Sequence, residues 1–436
     1  MTATMTSPVA VETEHLVRAL AGLDAWLESM RGPDGYGGPI AHWWESNFLY
    51  TGALYDWRYE GVIEGYHELY LRTGQSAFLD RATRAAGDLL PRQLPDGRWR
   101  RSSFQFGPVA GGTPHEAGLD LALLRLARTL RGLGRGEEGD AYVHAARANI
   151  EGYWIGQLWN GRGFQDQPYN ASLVANKHAT LLEALVELET LTGADFGSYI
   201  GRCAEVVMGA QVRRGPQRGG TVHLGIGPSR LAIPIYTARS MNGLMSFLDR
   251  TGDPRAAAAV REAADFLLRL TTPGGVLWGI YGTGRTARNP LMVAGAGDVL
   301  RCLLRIRERD LAPVDAGVRT LTNLLLEAQS PAGGLPTACG FAAKALGRPT
   351  PQTELRDVLP VVGWVDKAFR ALCLALPPGS QVSPGDVRPY EVPVVWRGQR
   401  RTFRETAESF SVTADRGSVS LYHWIKGEPS PRVYDL

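Results

Sequence analysis

Glu60, Glu116, Asp298 and Asp366 are the carboxylates whose surroundings in the chain single them out for chemistry. Two carboxylates facing one substrate can cleave an acetal: one protonates the leaving oxygen and the other supplies or activates the nucleophile. Glu116 follows Thr113-Pro114-His115, a helix-start pattern with a histidine beside the acid. Asp298 ends the run Gly295-Ala296-Gly297-Asp298. Small residues there permit close approach and leave the carboxylate as the reaching group. Asp56 precedes Trp57-Arg58 and has a second assignment, as the N-cap of its helix. For each acid, a cap or a structural ion pair competes with catalysis.

A second set of groups suits proton transfer at carbon. His42, His115 and His178 titrate near neutral pH in their ordinary state, and Tyr55, Tyr59 and Tyr236 can assist. Arg58 or Arg239 would then clamp a uronate carboxylate. A lone histidine more often serves as a core or loop hydrogen-bonder. His115-Glu116-Ala117-Gly118-Leu119-Asp120 lacks the two-histidine spacing of a zinc helix, and no other ligand cluster is readable, so no metal is expected. Gly225-Ile226-Gly227 and the Gly282 to Arg285 turn are isolated glycine turns, not phosphate loops. No nicotinamide, flavin or other cofactor is expected.

These residues are scattered along the chain, so a repeat must gather them. Gly35, Gly97, Gly161, Gly219, Gly274 and Gly333 follow amphipathic stretches at intervals of roughly 60 residues. Thr73-Gly74, Thr192-Gly193 and Thr251-Gly252 punctuate the same period from inside the units, as C-cap glycines. Between them the apolar spacing is helical: Val62, Ile63, Tyr66, Leu69 and Tyr70, then Phe78, Leu79, Ala82, Ala85, Ala86, Leu89 and Leu90. The pattern predicts helices over 13–30, 58–73, 77–93, 115–133, 138–157, 176–192, 195–211, 235–251, 254–270, 296–309, 313–328 and 363–375. The expected fold is all-α: six helical hairpins closed into an (α/α)6 toroid, the first and last helices pairing to close the ring.

In such a ring the first turns of the inner helices face one mouth. They carry Asp56, Trp57, Arg58, Glu60, His115, Glu116, Lys177, His178, Tyr236, Arg239, Asp298, Trp364 and Asp366. Capping alone would select Ser, Thr, Asp or Asn, and cations at these positions oppose the helix dipole. A ligand is the added demand. The long loops beside these starts bring Trp43, Trp44, Trp57, Trp99, Trp159 and Trp278. The expected catalytic set is Glu116, Asp298, Glu60, Asp366 and His115. The expected binding set is Trp44, Asp56, Trp57, Arg58, Lys177, His178, Tyr236, Arg239 and Trp364.

After Pro377 the character changes. Pro377-Pro378-Gly379 and Ser383-Pro384-Gly385 read as a linker. Val392 to Trp396 and Phe410 to Trp424 read as strands around an Asp415-Arg416-Gly417 turn. The expected division is residues 1–376 as the toroid and 377–436 as linker plus a β appendage packed on it. The 436 residues carry 47 basic and 44 acidic groups, a balance too even for a nucleic-acid groove. No apolar run is long enough for a membrane span. Met1 to Glu14 has neither a basic start nor an apolar core, and Cys203, Cys302, Cys339 and Cys373 form no CxxC pair. Reduced thiols and a cytoplasmic location are the expectation.

The hairpin count, the period and the motifs Tyr55-Asp56-Trp57-Arg58 and Thr113-Pro114-His115-Glu116 resemble the six-hairpin toroid superfamily of carbohydrate-active enzymes, over residues 13 to 376. That superfamily holds hydrolases, lyases, epimerases and phosphorylases. The resemblance implies a sugar or oligosaccharide in a central pocket, with glycoside hydrolysis as the leading reaction. A uronate epimerase or lyase and a non-catalytic sugar-binding protein are the rivals. A third rival, an isoprenoid or natural-product cyclase, rests on Gln93-Leu94-Pro95-Asp96-Gly97-Arg98-Trp99, which resembles the QxxxGxW repeat of terpene cyclases. Gln157 to Gly161 and Gln329 to Gly333 share its glutamine-to-glycine spacing, but the protonating Asp-x-Asp-Asp of those cyclases is missing. A glutamine closing one helix end onto the next turn explains the motif structurally. Oligomeric state is not legible.

Overall fold

The computed structural model describes residues 8–43, 46–100, 116–222, 231–281, 283–414 and 419–434. Trp44, Thr113-Pro114-His115, Gly225-Ile226-Gly227, Gly282 and the Asp415-Arg416-Gly417 turn lie outside them. Among the described residues twelve α-helices form: α1 (Pro8–Ser29), α2 (Trp57–Thr73), α3 (Ser76–Gly87), α4 (Ala117–Gly132), α5 (Gly136–Ala148), α6 (Ala175–Thr192), α7 (Gly197–Gly209), α8 (Pro234–Thr251), α9 (Pro254–Leu270), α10 (Ala296–Glu308), α11 (Asp315–Glu327) and α12 (Val362–Ala375). None is long and apolar enough to cross a membrane.

The even-numbered helices close a ring, each packing on the next from α2 through α4, α6, α8, α10 and α12 back to α2. The odd-numbered helices form the outer wall, and α1 packs on α12 to complete the sixth pair. The expected toroid is therefore the observed fold. The Thr-Gly turns do what their type requires. Gly74, Gly193 and Gly252 adopt φ near +70° and return their N–H to Tyr70, Glu189 and Leu248.

The glutamine motif is structural. Gln93 Nε2 donates to Gly97 O (3.0 Å) and to Ala145 O on α5 (2.7 Å). Gln211 repeats this with Gly219 O and Ala259 O on α9, and Gln329 with Gly333 O and Ala19 O on α1. Each clamp ties one outer-helix end to the next outer helix around the ring. Gln157 is exposed and stands outside the pattern. The turn glycine is required twice over: at Gly219 φ is +87°, and a Cβ would lie 2.0 Å from Glu262 O. Gly219→Ala is therefore expected to cost about 3 kcal/mol, from left-handed strain plus displacement of α9. A urea titration reads it, and an unchanged midpoint would contradict the clamp.

Two helices end differently from the periodic pattern. The expected 77–93 helix stops at Gly87 and resumes as a 3-10 turn over Leu90–Arg92. Pro91 lacks the N–H and clashes with the carbonyl four residues back. The expected 138–157 helix changes at Ala148 into a π-helical segment, Asn149–Leu158, whose first residue turns inward. The C-terminal part is a five-stranded antiparallel meander: β1 (Tyr390–Trp396), β2 (Gln399–Glu405), β3 (Ser409–Ala414), β4 (Ser420–Ile425) and β5 (Arg432–Val433). β2 carries the charged sequence QRRTFRE and buries only Phe403 and Glu405, which hides its alternation. The sheet is pinned to α1 by Trp26 Nε1, which donates to Glu405 Oε1 (2.7 Å), and Lys426 Nζ meets the same oxygen at 2.9 Å.

Candidate active site

Trp57 and Trp364 open α2 and α12, which are neighbours in the ring, so their indoles meet at the mouth with centroids 5.0 Å apart. Trp43 adds a third ring 4.7 Å from Trp364. Asp56 caps α2, accepting Arg58 N at 3.0 Å, and its carboxylate also holds the Arg58 guanidinium. His42 Nδ1 accepts from Trp364 Nε1 (2.7 Å). Burial, then the charge of Arg58, hold His42 well below its usual pKa. A neutral ring that anchors an indole is not an acid or base near pH 7.

Beside these indoles is a pocket with about 500 Å³ of empty space. Trp57, Trp364 and Ile235 supply apolar walls, and Tyr236, Asn176, Arg239 and Asp298 supply polar groups. Asp298 is the one carboxylate among the described residues that line it. Burial alone pushes the Tyr236 phenol up to about 12, so it keeps its proton at neutral pH.

Below the pocket the ring is filled by ion pairs, not aliphatic side chains. Arg370, on the third turn of α12, donates from Nη1 to Glu60 (2.9 Å) and Glu64 (2.7 Å), and from Nη2 to Asp298. Arg239 bonds Glu60 and Thr180 Oγ1. Burial works to raise Asp298, but Arg370, Arg239 and Lys367 hold it below the usual carboxylate range. Glu60 is held low in the same way, by Arg239, Arg370 and Lys367 against burial. Burial wins at Asp366, which is pushed up to about 6 despite Lys367 and Arg370. Its Oδ2 accepts Gly61 N at 3.0 Å and Lys367 Nζ at 2.6 Å, while Oδ1 is buried without a partner. Lys367 Nζ also donates to Trp57 O, tying this buried pair to the pocket wall.

The expected residues thus divide. Trp57, Trp364, Tyr236, Arg239 and Asp298 line the pocket; Glu60 and Asp366 lie in the charged floor; Asp56 and Arg58 form the α2 cap. Glu116 goes elsewhere: it begins α4 but accepts from Trp99 N (3.2 Å) and Asn149 Nδ2 (2.6 Å), joining the Gln93 turn to the π-helical segment. Lys177 turns to Asp166. Burial brings the Lys177 amine down to about 8. His178 Nε2 accepts Phe164 N (2.9 Å), its Nδ1 bonds Val174 O, and burial brings it to about 4, so it closes a loop and does not face the pocket. His115 and Trp44 lie outside the described residues. Sequence reasoning missed Arg370, which joins two of the chosen carboxylates. The signal was a charged residue one turn below Asp366 in the otherwise apolar ALCLA end of α12.

Among the described residues no cluster of acidic, histidine or cysteine side chains has the geometry to hold a metal ion. No protein-family model matches the chain, and no curated protein does. Solved structures do. A possible member of the GH105 family from Klebsiella pneumoniae is similar at TM-score 0.58 and 12% identity, over 86% of this chain and 98% of that one. An unsaturated glucuronyl hydrolase specific for heparin matches at 0.56 and 12%, over 83% and 96%. Cellobiose 2-epimerase from Bacillus thermoamylovorans matches at 0.58 and 10%, over 82% and 97%. At these identities the likeness establishes the fold, the α/α toroid those proteins share.

Proposed function

We propose that this chain is a carbohydrate-active enzyme that holds a saccharide end in the mouth pocket and hydrolyses its glycosidic bond. The observation that carries the reading is Asp298: an ionised carboxylate lining a pocket walled by two indoles and fixed from below by Arg370. Indole faces suit the apolar faces of a pyranose. Among the proteins of similar structure, one is named an unsaturated glucuronyl hydrolase specific for heparin and another a cellobiose 2-epimerase.

In this reading Asp298 takes one proton of the attacking water while the Tyr236 hydroxyl gives its proton to the departing oxygen, and the proton held by Asp298 returns to Tyr236 through solvent. Glu60 shares Arg370 with Asp298 and is the second member of the carboxylate pair. Its ion pairs with Arg239 and Arg370 make it an electrostatic partner to the developing positive charge on the sugar, not a proton donor. The charged floor is unsuited to an isoprenoid chain.

A second reading has its own support. Arg239 and Tyr236 share the pocket with the Asp298 base. Arg239 would bind a uronate carboxylate, Asp298 would remove the proton from the adjacent carbon, and Tyr236 would return a proton. That is the chemistry of an epimerase or lyase.

Product analysis separates the readings. With neutral and uronate-ended disaccharides, new reducing ends without an unsaturated product mean hydrolysis. An unsaturated uronate means elimination, and solvent deuterium entering an uncleaved sugar means epimerisation. Saccharide binding without turnover would leave a binding protein, and no binding would overturn the whole reading. Trp57→Ala is expected to weaken saccharide binding about tenfold, the loss of one stacking face. Calorimetric titration checks it, and unchanged affinity would remove Trp57 from the wall.

A further inference from the structure

The inner helices start at the mouth, so their later turns lead to the opposite end of the ring. There a second cavity of about 660 Å³ opens, lined by charged residues one to three turns beyond the pocket. Five arginines, Arg125, Arg128, Arg301, Arg305 and Arg370, face three carboxylates, Glu64, Glu68 and Glu308. Glu183, behind Arg125 and Arg305, and Glu187, beside Arg128, bring the acids to the same number as these arginines.

Most of these charges are spoken for. Arg125 bonds Glu64 and Glu183; Arg305 bonds Glu183, Asn242 and Ser246; Arg370 holds the pocket floor. Arg128 meets Glu187 at 2.9 Å and is half-exposed at the rim. Glu68 is taken by Arg72.

Arg301 is the exception. Its side chain is 9% exposed, and among the described residues its one hydrogen-bond or ion-pair partner is Glu64, through a long 3.5 Å bond from Nη2 to Oε1. Glu64 already serves Arg125 and Arg370 at shorter range. The helix dipole does not explain this arginine. Its pull on cations is confined to the last turn, and Arg301 lies about two turns before the end of α10 at Glu308. The other N–H groups of Arg301 reach only the solvent of the cavity, and so large a loss of hydration is costly. The penalty shows in its acidity, which burial brings down to about 10.

We propose that this cavity binds a tetrahedral oxyanion, either free phosphate or a phosphate ester on a small molecule, with the Arg301 fork as its principal donor and Arg128 closing from the rim. A planar guanidinium meets two oxygens of such an anion at once.

The test is isothermal titration of the full chain with inorganic phosphate, inorganic sulfate and glucose 6-phosphate, at constant ionic strength set with chloride. The expected result is one saturable site, weakened at least about tenfold in Arg301→Gln and severalfold in Arg128→Gln. Should Arg301→Gln fail to fold, Arg301→Lys keeps the charge, loses the fork and is expected to bind several times more weakly. Tighter binding of glucose 6-phosphate identifies the ester as the natural form, and tighter binding of phosphate identifies the free anion. No saturable binding, or binding indifferent to Arg301, overturns the proposal. Neither result bears on saccharide turnover at the mouth.

Discussion

Arg370→Met is expected to destabilise the protein by about 3–5 kcal/mol at neutral pH, the cost of stranding buried charges when one partner is removed. Arg370 is 2% exposed and bonds Glu60, Glu64 and Asp298, which come from α2 and α10 on either side of α12. Without it, those carboxylates face one another in a region from which water is largely excluded. Replacing an entire buried ion network by apolar groups is often neutral, but breaking one is not. The loss should also depend on pH with a definite sign. In the variant Asp298, Glu60 and Glu64 lose one of the cations that hold them low, so their folded pKa values rise relative to the native protein and the deficit grows as pH rises through that range. The deficit should be larger at pH 8 than at pH 5. In the native protein the sign is opposite. Burial raises Glu183, but Arg305 and Arg125 bring it down to about 2 from an ordinary 4.5. Its stabilising contribution is present above pH 4.5 and disappears as pH falls toward 2. Urea titrations of both proteins at the two pH values decide the matter. Equal midpoints at pH 8 would show that the ring does not depend on this arginine.

Asp298→Asn is expected to lower kcat by about 1,000-fold, within the span that a positioned acid or base supplies. Saccharide affinity should change by less than about threefold, because the stacking walls and Arg239 remain. Asparagine keeps the size and an oxygen toward Arg370 but cannot accept a proton. Because Arg370, Arg239 and Lys367 hold Asp298 below its usual range, the acid limb of the native pH–rate profile should lie below ordinary carboxylate values. Turnover measured with calorimetric affinity on the same preparation separates a lost base from a lost binding contact. A variant retaining more than a tenth of native kcat would exclude Asp298 as the base.

The charged interior was half legible. Glu60 and Glu64 on α2, and Arg301 and Arg305 on α10, are four residues apart, which places each pair on one helix face. Reading that face as inner identifies a charged lumen. It does not identify which acid meets which base, because the partners are hundreds of residues apart in the chain: 310 between Glu60 and Arg370, 179 between Glu60 and Arg239. Glu116 illustrates the limit. Its position at an inner-helix start was read correctly, yet the side chain points to Trp99 and Asn149. A start residue can face the lumen or the seam between neighbouring hairpins, and about one-quarter of a helix turn separates the two.

The amino-acid sequence by itself determined the hairpin period, the helices to within a few residues at most ends, and the ring. Those depend on local terms: apolar spacing at 3.6 residues, glycine at left-handed caps, and a glutamine that reaches a carbonyl across one turn. The tertiary structure alone decided the protonation and the direction of the site residues. Protonation depends on burial and on charges brought in from other hairpins. That is why Asp298 and Asp366, both at inner-helix starts, are shifted in opposite directions: the surrounding cations outweigh burial at Asp298, and burial outweighs them at Asp366.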